Sequence, residues 1–149
     1  MASKVLVDNF ISQKNLAIVG VSRNKSKFGN MAYRELTQKG YKLHIIHPEA
    51  ETLEGARTYK DFASLPEKVG GALVVVQPGK TEKVVREAAA AGITRIWMQQ
   101  GSESPEAIRF CEQNGIEAIH GECIMMYAVG TGIHKFHGWV WKLLGKQPR

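Results

Sequence analysis

The chain has 149 residues, 44% of them hydrophobic, with 20 Lys and Arg against 14 Asp and Glu, and a net charge of +6. That length and apolar content suit one domain with an ordinary core and exclude a disordered chain. No apolar run reaches the ~18 residues of a membrane span, and the N-terminus lacks the pattern of a signal peptide, so a cytoplasmic location is expected.

An amphipathic helix is expected first, from Lys4 to Gln13, with Val5, Phe10 and Ile11 on its covered side. The apolar run from Leu16 reads as a strand to Val21, interrupted by Gly20, and a basic turn follows before helical spacing resumes from Ser26 or Lys27 to Lys39. Gly40 is a natural helix stop, and Tyr41–Ile46 is the second strand, closed by His47-Pro48. Residues 49–60 read as a loop with at most a very short strand, and Asp61–Lys68 as a segment with one helical turn. Gly71–Gln77 is the clearest buried strand; Pro78-Gly79 breaks it, and Lys80–Ala91 is helical. Arg95–Gln99 is the next strand. Ser104-Pro105 opens a helix that ends at Asn114-Gly115, and Ile116–His120 is the last strand.

This alternation predicts an α/β fold, a doubly wound parallel sheet of five strands in the order 3-2-1-4-5. Ligands of such sheets bind outside the carboxyl ends of the strands, where the order reverses. The turn after the first strand has the makings of an anion site. Gly20 allows close backbone approach, Ser22 offers a hydroxyl, Arg23, Lys25 and Lys27 bring charge, and a helix N-terminus follows. A phosphorylated, nucleotide-containing small molecule is the expected ligand. The three-glycine dinucleotide fingerprint and the P-loop pattern are both absent.

Five segments occur in a familiar order: Ala17-Ile-Val-Gly-Val-Ser22, Ile45-Ile-His-Pro48, Val74-Val-Val-Gln77, Ile96-Trp-Met-Gln-Gln-Gly101 and Gly121-Glu-Cys-Ile124. Together, from about Asn15 to Met126, they resemble the small stand-alone CoA-binding domain proteins. These are similar to the CoA-binding domains of the succinyl-CoA synthetase alpha subunit and of ADP-forming acyl-CoA synthetases. The resemblance implies a Rossmann-like fold and a site for coenzyme A or an acyl-CoA. It implies that Ser22, Arg23, Asn24 and Lys25 meet phosphate, and that Val76, Gln77 and Pro78 flank the adenine. By the same resemblance, Met98, Gln99 and Gln100 lie near the pyrophosphate and pantetheine arm, and His47-Pro48 stands where the family has Asn-Pro. One departure stands out: where the family often continues with a phosphate-binding lysine, this chain has Glu49.

Two other functions stay open on the residues alone. An acid close to the end of the second strand, as Glu49 is, reads the ribose of a nicotinamide dinucleotide, so an NAD or other adenine-nucleotide site is one alternative. The other is CoA-linked thiol chemistry at Cys123, beside His120 and Glu122, with Cys111 midway along a helix and inert. The two cysteines form neither a redox pair nor a zinc pattern, and His134 and His137 are too few for a metal site. Nucleic acid binding is not expected, because no recognisable motif accompanies the basic charge. Residues 127–149 are expected to form a helical extension of the single domain. Over Thr131–Gly145, Ile133, Phe136, Val140, Leu143 and Leu144 share one helical face, suited either to packing on the sheet or to a second copy or partner protein.

Overall fold

The structure, a computed structural model, describes residues 3–129. Its elements follow in the order α1 (Lys4–Ile11), β1 (Asn15–Val19), α2 (Phe28–Gln38), β2 (Lys42–Ile46), β3 (Thr52–Leu53) and β4 (Ala56–Tyr59), then a 3-10 turn (Phe62–Ser64). The second half comprises β5 (Gly71–Val74), α3 (Pro78–Ala90), β6 (Arg95–Gln99), α4 (Pro105–Gln113), β7 (Glu117–Glu122) and α5 (Met125–Ala128). The segment 131–145 and the pair His134 and His137 lie outside the described residues.

The sheet runs β3-β4-β2-β1-β5-β6-β7, and every pair is parallel except the β3–β4 hairpin. The doubly wound α/β class is the expected one, but the strand count and order differ. The five expected strands stand in the order 2-1-3-4-5. The place outside β2 is taken by β4, from the segment read as a loop, and β5 pairs directly with β1. The hairpin escaped notice because each of its strands is short and its only turn signal is Glu54-Gly55. Both turn residues have positive φ, 53° and 74°, the geometry of a two-residue hairpin turn.

Alternation along the central strands sorts the core into two layers. Leu16, Ile18, Leu73 and Trp97 face one layer with α1, α2 and α5, while Ala17, Ala72, Val74, Ile96 and Met98 face the other with α3 and α4. Each large side chain so buried contributes on the order of 1.5–3 kcal/mol. Helix α1 turns Phe10 inward and packs Ile11 against the core as expected, but Val7 rather than Val5 completes the covered face, and Val5 is exposed. Phe10 packs edge-on against Trp97 at 5.4 Å. Helix α2 ends as expected at Gly40, where the Tyr41 N–H reaches back to the Leu36 carbonyl at 3.1 Å.

Where β1, β5 and α2 meet, two glycines carry the packing. Gly20 has φ +128°, and a Cβ there would fall 2.0 Å from the Val75 carbonyl oxygen. A Cβ on Gly29, in the first turn of α2, would fall 2.2 Å from the Gly20 oxygen. Gly29 therefore lets the helix start rest directly on the end of β1, the part played by the last glycine of the dinucleotide fingerprint. Gly29 lies nine residues after Gly20, farther than the fingerprint spacing allows, so the equivalence is one of space and not of sequence pattern.

Gly29→Ala should accordingly destabilise the fold by about 1–3 kcal/mol, because the opposing atoms are backbone and cannot rotate away. Gly79→Ala, where nothing lies within 4 Å of the added carbon, should be neutral or slightly stabilising. Denaturant unfolding of the two variants checks this; equal stabilities would contradict the packing described.

Candidate functional site

A cleft of about 410 Å³ opens where the strand order reverses, between the carboxyl ends of β1 and β5. Its volume is in the usual range for small-molecule sites. The turn after β1 supplies Gly20 and Ser22, and the start of α2 supplies Lys27, Phe28 and Gly29. The exit of β5 and the start of α3 supply Val75, Val76, Gln77, Pro78 and Lys80, and the turn after β6 supplies Gln99, Gln100, Gly101 and Ser102.

Two helices begin at this cleft. Neither Lys27, the N-cap of α2, nor Gln77, the N-cap of α3, makes a side-chain capping bond, and Pro78 occupies the first position of α3. Uncapped helix starts direct backbone N–H groups and the positive end of the helix dipole into the cleft. Lys27 and Lys80 stand in or beside these first turns. Pro78 does more than break the strand: as the opening residue of α3 it places Lys80 at the cleft.

Most of the buried polar residues gather around this end of the sheet: Asn30, Thr81, Gln99, Ser102 and Ser104. Buried polar groups require partners, and here the partners are the cleft's own loops. The Asn30 amide accepts from the Ser22 N–H at 2.8 Å and donates to the Ser22 carbonyl at 2.7 Å. The Thr81 hydroxyl donates to the Ser102 carbonyl, tying α3 to the turn after β6. Gln99 accepts from the Ile124 N–H at 3.1 Å. Ser22 Oγ accepts from the Asn24 N–H at 3.0 Å, which leaves its hydroxyl proton to donate elsewhere.

Behind the turn lies an acid. Glu54, whose side chain is 8% exposed, accepts from Asn30 Nδ2 at 2.9 Å and from Arg34 Nη1 at 2.8 Å. Burial by itself would raise its pKa. The bonds from Asn30 and Arg34, together with the charges of Arg34 and Lys25, outweigh that and hold it below the ordinary value near 4.5.

Of the residues expected at the site, Gly20, Ser22, Gln77, Pro78, Gln99 and Gln100 line the cleft together. Arg23, Asn24 and Lys25 belong to the same turn but not to the lining. Asn24 Oδ1 accepts from Ser26 N–H and Oγ–H, and the Lys25 carbonyl accepts from Arg34 at 3.3 Å. Arg23 lies 4.0 Å from Glu49, so the acid that stands in place of the family's lysine has a cation beside it. His47 and Pro48 line a second groove with Glu49, Arg57 and Lys60, and His47 Nδ1 accepts from the N–H groups of Glu49 and Ala50. Met98 is fully buried in the layer under α3 and α4, away from the cleft lining. Its place two residues after Ile96 in the strand already carried that information. Lys80, Phe28 and Gly29 line the cleft without having been expected there, and Gly101 and Ser102 line it at the carboxyl end of β6, where ligands of such sheets bind.

The thiols are buried. Cys123 is 6% exposed, and burial pushes its pKa up despite hydrogen bonds from Gln99 and the Met125 and Met126 backbone. Burial pushes Cys111 up to about 11. Burial thus disfavours the CoA-linked thiol chemistry that the residues alone left open at Cys123. Among the described residues, no His, Cys, Asp and Glu cluster could hold a metal ion, and no helix is long and apolar enough to cross a membrane.

The chain belongs to the CoA binding domain family, which matches residues 14–128. It is 21% identical over 130 residues to the alpha subunit of an ADP-forming acetate–CoA ligase II from Pyrococcus furiosus, and it spans only 28% of that relative's length. A conserved hypothetical protein from Pyrococcus furiosus has a similar structure, at TM-score 0.72 and 36% identity over 76% of this chain and 97% of its own. The dinucleotide forming acetyl-coenzyme A synthetase 1 of Ca. Korarchaeum cryptofilum, in complex with phosphate and ADP, is similar at TM-score 0.66 and 25% identity over 75% of this chain and 26% of its own.

The low pKa of Glu54 sets a pH dependence. Its stabilising bonds are fully present above about pH 4.5 and are lost as the pH falls through the lowered folded-state value. Glu54→Gln should thus lower the melting temperature at pH 7 and change it less at an acid pH below that lowered value, where the native carboxyl is also protonated. Glu67, held low by Lys42, and Asp61, held low by Ser64, keep an acid dependence in the variant. An equal shift at both pH values would contradict the carboxylate's role.

Proposed function

We propose that this chain binds coenzyme A or an acyl-CoA in the cleft between β1 and β5. The observation that carries the reading is the convergence of two helix N-termini, both without side-chain caps, on one cleft beside Lys27 and Lys80. A pyrophosphate has two charges to place, and each helix start favours an anion by about 0.3–1 kcal/mol, more where water is excluded. Ser22 Oγ–H adds a donor, and Gly20 lets the phosphate approach the backbone. Val76, Gln77 and Pro78 flank the adenine. Gln99 and Gln100, at the end of β6, line the path of the pantetheine arm.

Family membership supports this reading over an unrelated anion. Glu49 is compensated by Arg23, so it does not exclude a phosphorylated ribose. It also keeps one competitor in view, because an acid just beyond β2 can accept from an unphosphorylated ribose, as in nicotinamide dinucleotide sites. The cleft serves binding; among the described residues no base, nucleophile and orienting group come together in it.

Calorimetric titration with CoA tests the assignment. Lys27→Ala with Lys80→Ala should weaken binding about tenfold at low salt and less at high salt. The exposed lysines contribute little to folding, so the melting temperature without ligand should hardly move. Unchanged affinity in the double variant would overturn the placement of the phosphates. Glu49→Lys should tighten CoA binding; weaker CoA binding, with NAD raising the melting temperature of the parent more than CoA does, would favour the dinucleotide instead.

A further inference from the structure

The turn that carries Ser22 is held from beneath by side chains that do not line the cleft. Asn30 is fully buried and grips both the N–H and the carbonyl of Ser22. An amide can be turned either way, and only one orientation suits Ser22. A carboxylate can only accept, so Glu54, 2.9 Å from Asn30 Nδ2, fixes which end of the amide carries the donors. The same Glu54 oxygen accepts from Arg34, and Arg34 reaches on to the Lys25 carbonyl at 3.3 Å. Both ends of the turn are thus referred to one acid.

That acid comes from a distant element. Glu54 is the first residue of the β3–β4 hairpin turn and has φ 53°, a conformation that glycine, Asn and Asp adopt more readily than Glu. A shorter side chain would suit the turn and would not reach Asn30. Arg34 neutralises the Glu54 charge, so an acid can stand behind an anion site without repelling its ligand.

We infer that Asn30, Glu54 and Arg34 are positioning residues for the turn: Glu54 orients the Asn30 amide on the Ser22 backbone and holds Arg34 against Lys25, presetting the turn for phosphate. This rests on the CoA-binding reading above. Preset donors bind more tightly than donors that must be ordered by the ligand.

Calorimetric titration with CoA, together with hydrogen exchange of the Ser22 amide by NMR, tests the inference on the full chain. Glu54→Ala should weaken CoA binding about tenfold and speed Ser22 exchange by a similar factor. Glu54→Gln, which keeps an acceptor oxygen but adds an amide, should fall between. Glu67→Ala breaks the ion pair with Lys42 and the hydrogen bond with His44, away from the cleft, and should change neither readout. Should Glu54→Ala fail to melt cooperatively, Arg34→Ala replaces it with the same two readouts. Unchanged CoA affinity would overturn the inference, as would weaker binding with Ser22 exchange as slow as in the parent. A parent chain that does not bind CoA defeats the binding reading itself, which the titration shows before any variant is made.

Discussion

The close contact of Gly29 with Gly20, and of Gly20 with Val75, is the constraint on which the site depends. It brings a helix start, the end of β1 and the exit of β5 within backbone contact distance. No side chain intervenes at this seam, so main chain meets main chain beneath the turn that carries Ser22. A side chain at either glycine would lift α2 away from the sheet and separate the donors from the charge that accompanies them. The same contact places Asn30, one residue further along α2, directly beneath Ser22.

From that seam the electrostatics follow. Two helices of opposite layers, α2 and α3, begin at one cleft because the strand order reverses between β1 and β5. Their dipoles add where they converge, and exposed lysines at their first turns reinforce them. The polar interior is spent on the loops of this end: Asn30 on the turn after β1, Thr81 on the turn after β6, Gln99 on the start of α5. The cleft thus combines a polar wall tied to its own loops with two helix starts that favour an anion, as the proposed binding of CoA requires. The buried thiols add no exchange chemistry to it, since burial disfavours the thiolate that such chemistry needs.

The layered α/β architecture was legible because Leu16–Val19 and Ala72–Val76 are unbroken apolar runs and glycines or prolines punctuate the helices. The strand order was not. Thr52–Leu53 and Ala56–Tyr59 are too short and polar to announce themselves, yet β4 takes the place beyond β2 and leaves β5 to pair with β1. In the site, the turn after β1 was readable from Gly20 and its basic neighbours. Lys80 was hidden by reading Pro78 as an ending rather than a beginning. Glu54 was hidden altogether, because its link to Asn30 and Arg34 crosses from a hairpin to a helix and leaves no local pattern.

Amide chemical-shift mapping during a CoA titration tests the central claim most directly. The account predicts that the largest changes fall on Ser22, Gly29, Gly79, Gln100 and Gly101, around the seam and the two helix starts. Largest changes instead along the groove of His47, Arg57 and Lys60, or no changes at saturating CoA, would contradict it.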